Sequence, residues 1–326
     1  MFLITARGRT GHPNTDRGLS GTGVNLVPRQ QHIHTEAPSP PRRGFVILPA
    51  YRNMRRGIMT SQINYRAAES VPGTDITFRR TGEGGWSILF VHGFLDSFAV
   101  WDDVLASLVI SGVEIAALDL AGMGDRTDVE GPLTFDRYAD EVGKVVDLLA
   151  KPTVIVAHSM GTQIAELVAA RRPQQVIGLV LIAPVPLAGT HFPAAALEPF
   201  SQVAGSVEGM RALRAAASVG SREDSVDRLA EVGAKVRPEV VKELAELWNN
   251  GYADAGESSG YRGPVLLLAG ARDTVASPDS VMGQTAPRFA SARYFAVDNA
   301  GHWPHFEQFQ VVAEQVDKFL TEVVLT

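Results

Sequence analysis

Ser159, Asp273 and His302 are the residues of this sequence whose types and settings could together do chemistry. A serine hydroxyl becomes a strong nucleophile when a histidine takes its proton. A carboxylate on the far side of the ring then fixes the imidazole tautomer and stabilises its cation. The chemistry within reach is acyl transfer at a carbonyl carbon. Ser159 is the centre of Ala157-His158-Ser159-Met160-Gly161, between an apolar run and an Ala-rich stretch. A sharp strand-to-helix turn there needs small residues two before and two after the serine. Gly161 meets that need, and Ala157 stands where glycine is usual. The turn would lift the hydroxyl above a sheet edge and place the Met160 amide at a helix N-terminus, aimed where an oxyanion forms. The bland alternative is a serine that only caps a helix; the motif alone does not decide.

Elements are needed to bring such distant residues together. From residue 76 onward, strand and helix signals alternate. Strands are predicted at 76–80, 88–91, 114–118, 153–157, 176–182, 265–269 and 293–297, with helices at 103–110, 135–149, 161–171 and 306–323. Short apolar runs are the pattern of parallel strands covered on both faces, so the expected class is α/β, a mostly parallel central sheet flanked by helices. Ser159, Asp273 and His302 each follow a different strand, on the edge where such sheets build sites. Between two core strands, 185–262 shows no strand pattern but helical stretches at 194–204, 207–219, 225–232 and 238–248. Its length far exceeds an ordinary βα connection, and we expect an inserted helical cap. Phe192, Phe200, Met210, Trp248 and Tyr252 are its candidates for an apolar wall, with Phe192 and Trp248 placed foremost as substrate-binding residues.

Two rivals compete within the site. Asp119 follows the strand at 114–118 and could serve as the acid; the glycine turn after it offers that carboxylate a structural use. His305 lies three residues beyond His302, but Gly301 gives the His302 loop the freedom to reach over Ser159.

From residue 76 to 323 the chain resembles the α/β-hydrolase superfamily. The resemblance rests on Val91-His92-Gly93-Phe94, Asp119-Leu120-Ala121-Gly122-Met123-Gly124, His158-Ser159-Met160-Gly161, Gly270-Ala271-Arg272-Asp273 and Gly301-His302-Trp303-Pro304, in the family's order. It implies the α/β-hydrolase fold, the triad Ser159, Asp273 and His302, and an oxyanion hole from the Met160 and Phe94 amides. It also implies a structural Asp119, and His92 reads as a histidine held by hydrogen bonds. The Ser159 segment is similar to those of esterases, cofactor-free haloperoxidases and C–C bond hydrolases. The Gly-Pro-Gly stretch of the last group is replaced by Phe94-Leu95-Asp96. Epoxide hydrolases and haloalkane dehalogenases use an aspartate where this chain has Ser159.

Composition sets the remaining bounds. The chain has 326 residues, 45% hydrophobic and 20% charged, with net charge −6 and no cysteine. Disulfides, a thiol nucleophile and thiolate metal sites are excluded. An acidic balance gives no footprint for nucleic acid, and no apolar run approaches the ~20 residues of a membrane helix. Met1-Phe2-Leu3-Ile4 is too short for a signal-peptide core. Residues 1–58 stand apart: nine arginines, no lysine, only Asp16 and Glu36 in opposition, and prolines that break any period. They read as a disordered or non-native extension, with a natural start at Met54 or Met59 or a transit peptide as the forms weighed, preceding a hydrolase domain at 59–326.

The expected function is hydrolysis of a small to medium, largely apolar carboxylic ester or lactone in the cytoplasm. The partner is a small-molecule substrate, and the chemistry needs no metal or organic cofactor. A homodimer stays open. The alternatives are a perhydrolase or acyltransferase on the same triad, and a small-ligand receptor derived from a hydrolase.

Overall fold

In the computed structural model, residues 67–220 and 223–325 are described. Residues 1–58, set apart on composition, lie outside them. Among the described residues eight strands form one sheet in the order β1-β2-β4-β3-β5-β6-β7-β8. They are β1 Glu69–Ser70, β2 Thr77–Gly82, β3 Ser87–Val91, β4 Glu114–Leu118, β5 Thr153–His158, β6 Val176–Ile182, β7 Val265–Gly270 and β8 Ala292–Val297. β1 pairs with β2, and β2 with β4, antiparallel. The other neighbours pair in parallel.

The alternation of side chains along a strand divides the core into two layers. On β3, Leu89 and Val91 enter one layer and Ile88 and Phe90 the other. Helices α2 (Phe135–Leu149) and α3 (Met160–Arg171) cover the first face through residues such as Tyr138, Val142, Ile164 and Val168. Helices α1 (Asp102–Leu105) and α8 (Phe309–Leu325) cover the second through Val104, Val316 and Phe319. With both faces covered, β3 and β5 are buried along their whole length, and each large apolar side chain so placed stabilises the fold by about 1.5–3 kcal/mol.

Among the described residues four helices connect β6 to β7: α4 (Ala194–Gln202), α5 (Val207–Ala217), α6 (Glu223–Ala234) and α7 (Pro238–Asn250). α7 buries Val240, Val241, Leu244 and Trp248, whereas every residue of α4 is at least partly exposed.

Three elements differ from expectation, the first being the two-residue strand β1, where no strand was expected. The helix expected at 103–110 stops at Leu105, because the Val109 and Ile110 amides donate to the Asp317 carboxylate at 3.0 and 3.1 Å. A side chain from α8 thus replaces the helical ladder. The last helix is preceded by a separate turn, Pro304–Glu307, which carries the chain away from His302. No helix of the described residues is long and apolar enough to cross a membrane.

Candidate active site

Ser159 sits between β5 and α3 with φ 49° and ψ −124°, a conformation a residue with a Cβ adopts at a cost on the order of 1–3 kcal/mol. The surroundings hold it there. Its N–H donates to the Ile182 carbonyl at 3.0 Å, and its own carbonyl accepts from Thr162 Oγ1 at 2.6 Å. A Cβ on Gly161 would lie 2.5 Å from the His92 carbonyl oxygen, so glycine is required for the elbow to press against the end of β3. Gly93 is required for the reverse approach: its Cβ would lie 2.8 Å from His158 Nδ1.

His302 follows β8. Its Nε2 is 2.9 Å from Ser159 Oγ, and its Nδ1 is 2.9 Å from Asp273 Oδ2. With a carboxylate on Nδ1, that nitrogen carries the proton and Nε2 is free to accept the serine's. Asp273 follows β7, and its Oδ1 accepts the Val275 and Ala276 amides at 2.7 and 3.0 Å. Burial opposes its ionisation, but the adjoining His302 and the two amides together hold its carboxyl below the usual range. Three side chains from three strand ends thus form one relay.

The rivals are placed elsewhere. Asp119 Oδ1 accepts the Phe98 amide at 2.7 Å, and Oδ2 accepts the Asp125 amide at 2.8 Å. It clasps the turn at Gly124, where an added Cβ would lie 2.2 Å from its Cγ. His92 donates from Nδ1 to the Gly93 carbonyl and accepts the Leu120 amide at Nε2. His305 is fully buried, its ring 4.6 Å from Trp101 and 4.4 Å from His158.

Met160 is the first residue of α3, so its amide is among those the helix leaves unpaired. Phe94 follows Gly93 at the end of β3. Its ring lies 5.4 Å from Phe200 and 6.2 Å from Trp248, and Phe192 stands 6.1 Å from Trp248. This aromatic group joins the β3 loop to α4 and α7. Met210 and Tyr252 are not among its rings: Met210 is fully buried in the core, and the Tyr252 hydroxyl donates to Asp136 at the surface.

His158, Asp96 and Arg214 also hold the site together, a role that none of the motifs announces. His158 Nε2 donates to the His302 carbonyl at 2.8 Å. Asp96 and Arg214 form a buried ion pair at 2.7 Å. A signal existed: Arg214 shares the helical face of Met210, Leu213 and Ala217, an arginine on an apolar stripe.

The sequence profile of the Alpha/beta hydrolase family matches residues 88–315. The chain belongs to this family. Among relatives of this hydrolase, the mouse sn-1-specific diacylglycerol lipase ABHD11 is 28% identical over 248 residues, which are 72% of this chain and 80% of that one. Lipase LipV of Mycobacterium tuberculosis is 34% identical over 112 residues, 34% of this chain and 42% of the lipase. In structure, a bacterial membrane phospholipase A superposes with a TM-score of 0.69 at 21% identity, covering 85% of this hydrolase and 91% of that chain.

Proposed function

We propose that this hydrolase cleaves a small to medium, largely apolar carboxylic ester or lactone through an acyl-enzyme on Ser159. The observation that carries the reading is the unbroken relay from Ser159 Oγ through His302 to Asp273, with both contacts at 2.9 Å. As the Ser159 oxygen bonds to the substrate carbonyl carbon, His302 Nε2 takes the hydroxyl proton. The carbonyl oxygen becomes an oxyanion facing the Phe94 and Met160 amides. Collapse of the intermediate breaks the bond to the leaving alkoxide, which takes the proton from His302. Water then attacks the acyl-enzyme by the same sequence, releasing the acid and free Ser159. Asp273 keeps the imidazole oriented and stabilises its cation throughout.

An apolar substrate is supported by the rings of Phe94, Phe192, Phe200 and Trp248, and by relatives named as lipases. On this reading α4 to α7 form a cap over the sheet edge, and α4, the least buried of them, is the part through which substrate enters. The test is twofold. A fluorophosphonate probe should modify Ser159, read by mass spectrometry of the tryptic peptides. A panel of p-nitrophenyl esters and lactones of graded acyl length should give multiple turnover. Modification of another residue, or no turnover across the panel, would refute the reading.

A further inference from the structure

The loop that carries the Phe94 amide is held by a residue from the helices between β6 and β7. Leu95 adopts φ 59°, a left-handed conformation that a residue with a large side chain keeps only when its neighbours enforce it. Its N–H donates to Met123 Sδ at 3.3 Å, and its carbonyl accepts from Arg214 Nη2. Asp96, the next residue, meets the same guanidinium: Nη1 is 2.7 Å from Oδ1. The second Asp96 oxygen accepts from Trp303 Nε1 at 3.2 Å, and the guanidinium lies 4.9 Å from the centre of that indole. The Arg214 side chain is 3% exposed and that of Asp96 not at all.

Arg214 belongs to α5, which ends one turn later at Ala217. The Ala217 carbonyl accepts the N–H of His302 at 2.9 Å. A single helix therefore grips both the β3 loop and the histidine loop. A buried ion pair adds little net stability compared with apolar residues of the same volume. What the guanidinium supplies, and an apolar side chain cannot, is direction. Its planar fork binds two acceptors at once, Leu95 O and Asp96 Oδ1, and so fixes the backbone next to the oxyanion donor.

We infer that Arg214 is a positioning residue for acyl transfer, which sets the Phe94 amide by gripping Leu95 and Asp96 together. The inference rests on the proposed acyl-enzyme reading. It makes α5 a brace that aligns the oxyanion donor with His302. Misplacement by about 1 Å costs on the order of 100-fold in rate.

The experiment compares the wild-type chain with Arg214→Lys and with the neutral pair Asp96→Asn/Arg214→Gln. Lysine keeps a charge opposite Asp96 but has no fork, and the neutral pair avoids a lone buried charge should the first variant fold poorly. Active molecules are counted by fluorophosphonate titration, and rates are expressed per active site. Labelling of wild-type Ser159 is read first; its failure would count against the acyl-enzyme reading itself, whatever the Arg214 variants do. Per active site, kcat should fall roughly 10- to 100-fold with KM within about twofold. The Ki of an alkyl trifluoromethyl ketone, whose tetrahedral oxyanion occupies the hole, should weaken in parallel with kcat/KM. Arg211→Ala, on an exposed part of α5, should leave both unchanged. Wild-type kcat and Ki per active site in either variant, whatever the melting temperature, would overturn the inference, because a merely structural pair changes the number of active molecules and not their rate.

Discussion

The ring of His158 donates from Nε2 to the main-chain carbonyl of His302 at 2.8 Å. The residue just before Ser159 therefore anchors the loop that carries His302. The His158 ring is fully buried, 5.1 Å from that of His302 and 4.4 Å from that of His305. Burial pushes the His158 pKa down, although Asp96 pulls the other way, and burial pushes that of His305 well below the ordinary value. Neither ring nitrogen of His305 has a hydrogen-bond partner among the described residues.

This stack makes stability depend on pH. Both rings take up protons less readily in the folded protein than in the unfolded chain, which does so below about pH 6.5. The unfolded state then binds more protons, so stability falls as pH drops through that value, by at most ~1.4 kcal/mol per pH unit for each ring. Asp273, whose carboxyl is held below its ordinary value, acts in a separate window: its contribution is present above about pH 4 and is lost on further acidification. Calorimetry should show the melting temperature falling from pH 7 to pH 5. His305→Phe keeps the ring against Trp101 and should flatten that slope. An unchanged slope in the variant would show that His305 is protonated, or titrates normally, in the folded protein.

The two aspartates that compete for the acid role should separate by phenotype. Asp273 faces His302 Nδ1, so Asp273→Asn favours the wrong tautomer, and turnover should fall by several orders of magnitude with KM little changed. Asp119 accepts two backbone amides and makes no contact with His302. Asp119→Asn can accept at only one of those positions, and should lower stability by about 1–3 kcal/mol while the folded fraction stays active. Steady-state kinetics and urea melts of both variants check this. The reverse assignment of effects would move the acid role to Asp119.

Much of this was legible because parallel strands announce themselves. β3, β5, β6 and β7 are short apolar runs ended by turn residues, and Ser159, Asp273 and His302 follow three strands in a recognisable order. Two-residue β1 is too short to carry a period. The end of α1 was hidden because Asp317, which takes over its amides, lies more than 200 residues away. The pairing of Asp96 with Arg214 was hidden for the same reason: it joins residues 118 positions apart. Local pattern shows that a charge lies on an apolar face, but not which partner it meets.

Trp248 should govern acyl size. Its indole touches the rings of Phe94, Phe192 and Phe200, so its removal opens space beside the Phe94 loop. Trp248→Ala should shift the preferred p-nitrophenyl ester toward longer or bulkier acyl groups and lower kcat/KM for the shortest. The fold should lose ~3–5 kcal/mol, as for other buried aromatic truncations. Trp248→Phe should keep most stability with a smaller shift. A preference unchanged in both variants would remove these rings from the acyl site.

The strain at Ser159 gives a last test that separates function from stability at one atom position. At φ 49° and ψ −124° a Cβ is unfavourable, and glycine is at ease. Ser159→Ala keeps the Cβ and hence the strain, and removes only the hydroxyl. Turnover should fall by several orders of magnitude with the melting temperature near that of the wild type. Ser159→Gly removes the hydroxyl and the strain together. Relief of about 1–3 kcal/mol outweighs the roughly 0.5–1 kcal/mol that glycine loses in chain entropy. Ser159→Gly should therefore be as inactive as Ser159→Ala but melt at a higher temperature. Retention of even a tenth of wild-type turnover in either variant would eliminate Ser159 as nucleophile. A glycine variant that melts below the alanine variant would mean that the side-chain carbon is held by favourable packing at the elbow, and that the backbone there stores no strain for catalysis.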